Sequence, residues 1–285
     1  MHQLIQNVKD LVIGKIGGYV YSATDQLVVS KVVGVTAVGY MSNYYQVSNI
    51  FKKLASSISE PIQPMIGNYI RKQDDKTKVY DLFLSYTFIR YCIANIITVG
   101  MITMIDPLID LWLGADCKMP LIIPILLAVD IFIGIVHGPT GEFVAVLGLF
   151  RNDRNMSLIG AGLNLVTSIC FSILYGAYGV IIGTVITQIY YWIARAHIVF
   201  RSYFHQGRVR YILKMGGYIG VTVIETFVMY RVRLLVMDET TILGFISMSV
   251  ICAMVSMAGV CFCFFWTDEF RFMIQFLKTN LFKRS

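Results

Sequence analysis

Eight long, nearly continuous apolar runs follow one another from Leu11 to Trp266, and this feature constrains the fold more than any other. A helical run of about 20 apolar residues matches the roughly 30 Å hydrocarbon core of a bilayer. Inside lipid the backbone must satisfy its own hydrogen bonds, which leaves helices or closed barrels. The runs are continuous rather than alternating, so the sequence predicts an all-α, polytopic membrane bundle of about eight transmembrane helices. The charge content agrees: 14% of the 285 residues are charged and 56% are hydrophobic, whereas soluble domains carry about 25% charged residues.

Hydropathy and turn residues place the spans at Leu11–Val33, Val38–Tyr69, Val79–Ile105, Met119–Phe150, Met156–Leu174, Val180–Phe200, Tyr211–Val236 and Ile242–Trp266. The second and fourth run to about 32 residues, or roughly 48 Å of helix, so each should tilt, kink or project from the membrane. Proline removes a helical hydrogen bond, so Pro61 and Pro64 should interrupt the second span and Pro139 should kink or break the fourth. Tyr175–Gly179 reads as a tight turn between the fifth and sixth spans, with Gly179 and Gly183 allowing close helix approach. Asp106–Lys118 reads as a connection on the outer side.

The basic residues sort by side. With an internal N-terminus, the inner segments hold Lys9, then Arg71, Lys72, Lys76 and Lys78, then Arg151 and Arg154, then Arg201, Arg208, Arg210 and Lys214, and finally Arg271, Lys278, Lys283 and Arg284. The outer connections hold Lys118 with the acids Asp106, Asp110, Asp116, Asp238 and Glu239. The positive-inside rule then places both termini in the cytoplasm. The net charge of +7 is therefore read as topology and not as nucleic-acid binding. Met1–Asp10 lacks the pattern of a signal peptide. The six cysteines form no C-x-x-C pair and have no histidine at ligand spacing, so neither metal nor disulfide is expected.

Polar residues on apolar spans carry the functional signal. Ser42, Tyr45, Asn49, Lys52, Ser56, Ser59 and Gln63 recur at steps of three and four, which sets them on one helical face bordered by Lys53 and Glu60. A lysine facing lipid near mid-membrane costs at least ~2.5 kcal/mol, so this face should meet water or protein. The competing reading is helix packing held by serines. In the first span Lys15, Ser22, Asp25 and Gln26 group similarly, and Asp25 could pair with Lys15, Lys52 or Arg90 or face a cavity. Arg90 lies too deep to snorkel comfortably. Cations outnumber acids in these three spans, which favours an anionic ligand such as a phosphate. In the fourth span Asp130, Gly134, His137, Gly141, Ala145 and Gly148 share a face beside Glu142; Asp130, His137 and Glu142 are candidates for proton or ligand handling, the glycines for packing. Glu225 is isolated in the seventh. No G-x-S-x-G, H-E-x-x-H or Walker A pattern occurs, so neither an enzyme nor a cofactor site is expected.

A set of ordered motifs carries a resemblance. Asn7-Val8-Lys9, Lys15-Ile16-Gly17-Gly18, Thr24-Asp25, Val38 to Tyr45, Pro107 to Gly114, Gly148 to Arg154, Leu163 to Ser168 and Tyr178 to Thr184 together resemble Wzx-type oligosaccharide flippases, polysaccharide-biosynthesis proteins of the MATE-like MOP superfamily. The resemblance covers roughly Asn7 to Phe204. It implies alternating access, in which two six-helix lobes rock about a central cavity and carry an undecaprenyl-pyrophosphate-linked oligosaccharide to the outer leaflet. Residues 1–204 would then be a six-helix C-terminal lobe, 205–266 two additional transmembrane helices and 267–285 a basic cytoplasmic tail. The chain starts where the second lobe of the family starts, so it is expected to be a fragment, a split-gene half or part of an assembly in the bacterial cytoplasmic membrane. The expected partners are a lipid-linked oligosaccharide, membrane lipid, and a missing N-terminal lobe or other polysaccharide assembly proteins, with no nucleic acid. The expected substrate-binding residues are Lys15, Asp25, Asn49, Lys52, Lys53, Ser56, Arg90 and Glu142. The rival readings are a cation-coupled multidrug antiporter of the MATE type and a transport-inactive scaffold subunit.

Overall fold

A computed structural model describes residues 35–236 and 241–274. Among these residues the chain forms eight α-helices and no strand. They are α1 (Val35–Ser59), α2 (Ile62–Lys72), α3 (Lys76–Leu113), α4 (Ile122–Val146), α5 (Phe150–Tyr175), α6 (Ala177–Val199), α7 (Arg208–Val236) and α8 (Ile242–Phe264). A 3-10 turn, Ala115–Cys117, precedes α4, and a π-helical turn, Phe200–Phe204, extends α6. Five are long and apolar enough to cross a membrane: α3, α4, α5, α6 with its π turn, and α8. The chain is an all-α polytopic membrane bundle.

Several expected boundaries are corrected. The first expected span lies outside the described residues. The second is not one helix: α1 stops at Ser59, Pro61 stands in the turn, and Pro64 falls in the first turn of α2, where a missing N–H costs nothing. The third does not end at Ile105. Helix α3 continues through Pro107 to Leu113, so most of the expected outer connection is helical. At 38 residues α3 is about 57 Å long, nearly twice the hydrocarbon thickness. The fourth span is the 25-residue α4, shorter than expected, and it passes Pro139 without a break. It ends before Gly148, whose φ of 70° takes the chain out of helix. The seventh span is helical as α7, but Lys214 and Glu225 interrupt its apolar sequence and it is not among the five.

The helices fall into two compact units. The first contains residues 35–68 and 119–205. Here α1 buries Met41, Tyr44, Val47, Ser48, Ala55 and Ser59, and the Tyr44 hydroxyl accepts a hydrogen bond from the Met119 N–H at 2.9 Å. Helices α5 and α6 form the expected hairpin across the single residue Gly176, at φ 59°. Their approach is closest at the two glycines singled out from the sequence. A Cβ on Gly179 would overlap the carbonyl of Phe171, and one on Gly183 would stand 2.7 Å from the Ser168 nitrogen. Gly160 similarly admits the Tyr191 ring, whose hydroxyl donates to the Ser157 carbonyl at 3.1 Å.

The second unit contains residues 69–118, 206–236 and 241–274. Its helices α3 and α7 run in the same direction, because the pairs Tyr91–Tyr218, Asn95–Glu225 and Thr103–Arg233 advance together. Helix α8 returns antiparallel to them. The apolar core holds Val99, Met104, Met229, Met248 and Cys252. Beside it Tyr91 stacks on Tyr218 at 4.2 Å, with Phe264 edge-on to both. Near the start of α3, the Tyr80 hydroxyl donates to the Gly207 carbonyl at 2.8 Å, and Lys214 pairs with Glu269 at 2.9 Å.

Candidate functional site

Three polar contacts line the α4 helix of the first unit. The first joins α1 to α4: Lys52 Nζ lies 2.5 Å from Asp130 Oδ2. The Asp130 side chain is 3% exposed and that of Lys52 is 40% exposed, so the acid is enclosed and the base stands at the edge. The other carboxylate oxygen, Oδ1, is buried and accepts no hydrogen bond among the described residues. Two turns further on, His137 Nε2 meets Gln188 Oε1 of α6 at 3.0 Å. One turn beyond, Gly141 leaves room for Arg195, a Cβ there standing 3.3 Å from the guanidinium. Arg195 in turn donates to Asp153 of α5 at 2.8 Å and lies over the Tyr191 ring. Of the face expected from Asp130 to Gly148, Asp130 therefore meets α1 while Gly134, His137 and Gly141 meet α6. Its glycines serve packing, with Gly134 against the Gln188 amide.

The polar stripe on α1 flanks the buried face instead of coinciding with it. Ser42 and Asn49 are exposed, Tyr45, Lys52 and Ser56 are half-buried, and Ser59 is buried, while Gln63, expected on the same face, falls on α2 beyond the Pro61 turn. Two of its serines bond within their own helix. Ser56 donates to the Lys53 carbonyl at 3.0 Å and Ser59 to the Ala55 carbonyl at 2.6 Å, both on α1 itself. Lys53 is exposed on the same side of the helix. The stripe thus offers one lysine held by a buried acid and a second standing clear of it.

Of the expected binding residues, Asn49, Lys52, Lys53 and Ser56 are brought together on α1. Glu142 is half-buried on α4 of the same unit, while Arg90 is buried on α3 in the other unit. Lys15 and Asp25 lie outside the described residues. Asp130 is absent from the expected binding set although it is the acid that meets Lys52. Its signal is its place on the α4 face, one of two acids in an otherwise apolar helix.

A second polar cluster, unremarked in the sequence except for an isolated acid, lies in the other unit. Asn95 Nδ2 donates to Glu225 Oε2 at 2.6 Å, and the Thr222 hydroxyl donates to Asn95 Oδ1 at 2.6 Å. Among the described residues no group of three or more His, Cys, Asp or Glu side chains is placed to hold a metal ion.

Residues 1–118 match the family model of polysaccharide biosynthesis proteins. The matched stretch includes all of α1, with Lys52 and Lys53, and all of α3, with Arg90. It supports a role in polysaccharide biosynthesis. No curated protein and no solved structure matches the chain.

Proposed function

We propose that this chain, which matches polysaccharide biosynthesis proteins over residues 1–118, helps move a lipid-pyrophosphate-linked oligosaccharide across the bacterial cytoplasmic membrane. It acts as a flippase lobe working by alternating access, with both termini in the cytoplasm, and not as an enzyme. The observation that carries this reading is the basic polar stripe on α1, within the matched stretch. Lys53 is exposed, and Lys52 is held by one buried carboxylate. A stripe of lysines, serines and asparagine on a membrane helix suits a diphosphate and its sugar: the lysines supply point charges and the neutral groups supply hydrogen bonds. Lys53 is exposed and can meet a phosphate directly, whereas Lys52 would strand the buried Asp130 carboxylate if it moved away and so meets an anion best from beside it. The proposed partners are the lipid-linked oligosaccharide, membrane lipid and a companion six-helix lobe or other assembly proteins.

The test is transbilayer movement of a fluorescent undecaprenyl-pyrophosphate oligosaccharide in membranes from cells expressing the chain with its companion lobe. Replacing Lys52 and Lys53 together by glutamine should cut the rate at least tenfold at equal protein level, with binding of the lipid head lost first. Unchanged movement in that variant would overturn the assignment of the stripe.

A further inference from the structure

Helix α3 carries a gap in its backbone ladder and a repair that comes from another helix. Pro107 stands inside α3 without an N–H, so the Thr103 carbonyl four residues back loses the donor its own helix would supply. Thr103 is wholly buried, and a buried carbonyl must find its partner within the protein. Its hydroxyl donates to the Val99 carbonyl at 2.5 Å, a back-bond that itself favours bending at this point of the helix. The missing donor arrives from α7, where Arg233 Nη1 lies 3.1 Å from the Thr103 oxygen. The same guanidinium lies over the Tyr230 ring at 5.3 Å. Arg231 is exposed and lies over Phe227 instead. Residues two apart do not share a helical face, so one of the two arginines serves α3 and the other does not.

This repair is reversible in a way that a ladder bond is not. A backbone N–H leaves its carbonyl only when the helix unwinds, whereas Arg233 is a long side chain that can change rotamer in the last turn of α7. It is half-buried and forms no ion pair among the described residues, and α7 ends just beyond it in the exposed residues Leu234, Leu235 and Val236. The two sides of Pro107 are also unequally held. Before it, Val99 and Met104 are packed with Met229 of α7 and with Met248 and Cys252 of α8, and Val232 leans on the same core. After it, Ile109 is buried while Leu111, Trp112 and Leu113 are exposed. Lys118 returns to Asp110 at 2.7 Å, which ties the following turn to the end of α3 and makes Leu108–Lys118 one piece.

We propose that Pro107 is a hinge in α3 and that Arg233 is its latch. With the guanidinium on the Thr103 carbonyl, α3 continues to Leu113; when the guanidinium leaves, Leu108–Lys118 swings about Pro107 and the freed carbonyl opens to water. The latch lies wholly within the second unit, apart from the lysine stripe, and does not depend on the flippase reading. It gives one reason for two features: a proline that α3 passes without ending, and an arginine in the last turn of α7 that meets a neutral carbonyl and not an acid.

The experiment uses the full chain in lipid nanodiscs with nitroxides at Trp112 and Ile246, attached through a genetically encoded keto amino acid so that the six native cysteines stay in place. Both positions are exposed, one beyond Pro107 on α3 and the other on α8. Distances are read by double electron–electron resonance. The chain with its latch intact should give one narrow distribution. Arg233→Met should add a second population displaced by roughly 3 Å, the movement that a bend of somewhat over 20° gives a label five residues past the proline. Arg231→Met removes the same charge from the neighbouring turn and should leave the distribution narrow. Pro107→Ala in the Arg233→Met background should restore the single population, because residue 107 then donates to Thr103 itself. The same double variant should recover folding if Arg233→Met alone folds poorly. An unchanged distribution in folded Arg233→Met overturns the proposal, and so does a loss of either distance or folding that Pro107→Ala does not reverse.

Discussion

The Lys52–Asp130 pair should show a strongly unequal response to loss of either partner. Lys52→Met strands a carboxylate whose side chain is 3% exposed and whose second oxygen already accepts nothing. Breaking a buried pair in this way costs about 3–5 kcal/mol. Asp130→Asn instead strands an ammonium group that is 40% exposed and can swing to water on its flexible stem, which should cost about 1 kcal/mol. In the double variant no charge remains to be desolvated, so its loss should fall below that of Lys52→Met alone, with a coupling of roughly 2–3 kcal/mol. The assay is reversible unfolding of the four proteins in mixed micelles, read by tryptophan fluorescence and assembled as a double-mutant cycle. Equal losses from the two single changes that simply add in the double would refute the argument from unequal exposure.

Other predictions test the remaining features. Gly183→Ala forces a methyl group to within 2.7 Å of the Ser168 backbone and should destabilise the α5–α6 hairpin by about 1–3 kcal/mol. Gly162→Ala, on the same α5 but with nothing within 4 Å of the new methyl, should stabilise by about 0.5–1 kcal/mol in the same unfolding assay. Asp75 caps α3 by accepting from the Thr77 N–H at 2.9 Å, and that bond holds its carboxyl below the ordinary value of 3.8. A lowered carboxyl stabilises the folded form above its unfolded value, and the contribution is lost as pH falls through the folded one. Amide exchange at the first turn of α3 should therefore be steady from pH 7 to about 5 and accelerate, relative to an Asp75→Ala control, only below about 4.

Much of this architecture is legible in the residue pattern because lipid enforces simple rules. Apolar length reports helices, and Pro61 with Pro64 reports the break after α1. Gly179 and Gly183 report a close approach that only backbone contact explains. What misleads is proline read without its neighbours. Pro107 and Pro139 lie inside helices that continue, because each costs only local hydrogen bonds while the surrounding turns stay packed. Partner choice is less legible still. The sequence argument suggests Asp25 as a partner for Lys52, and the structure gives it Asp130, because helical periodicity gives a residue its face but not the helix that face meets. Glu225 reads as an isolated charge for the same reason, since its partner Asn95 is 130 positions away.

That separation has a temporal consequence. A ribosome adds about 5–20 residues per second, so α3 enters the membrane roughly ten seconds before the segment that answers its Asn95 is made. During that interval the Asn95 amide and the buried face of α3 have no permanent company in the second unit, while α1, α4, α5 and α6 can already settle together. Insertion machinery or a chaperone must shelter α3 through this delay, and a nascent chain arrested after His205 should present it as the segment most readily cross-linked to such a protector.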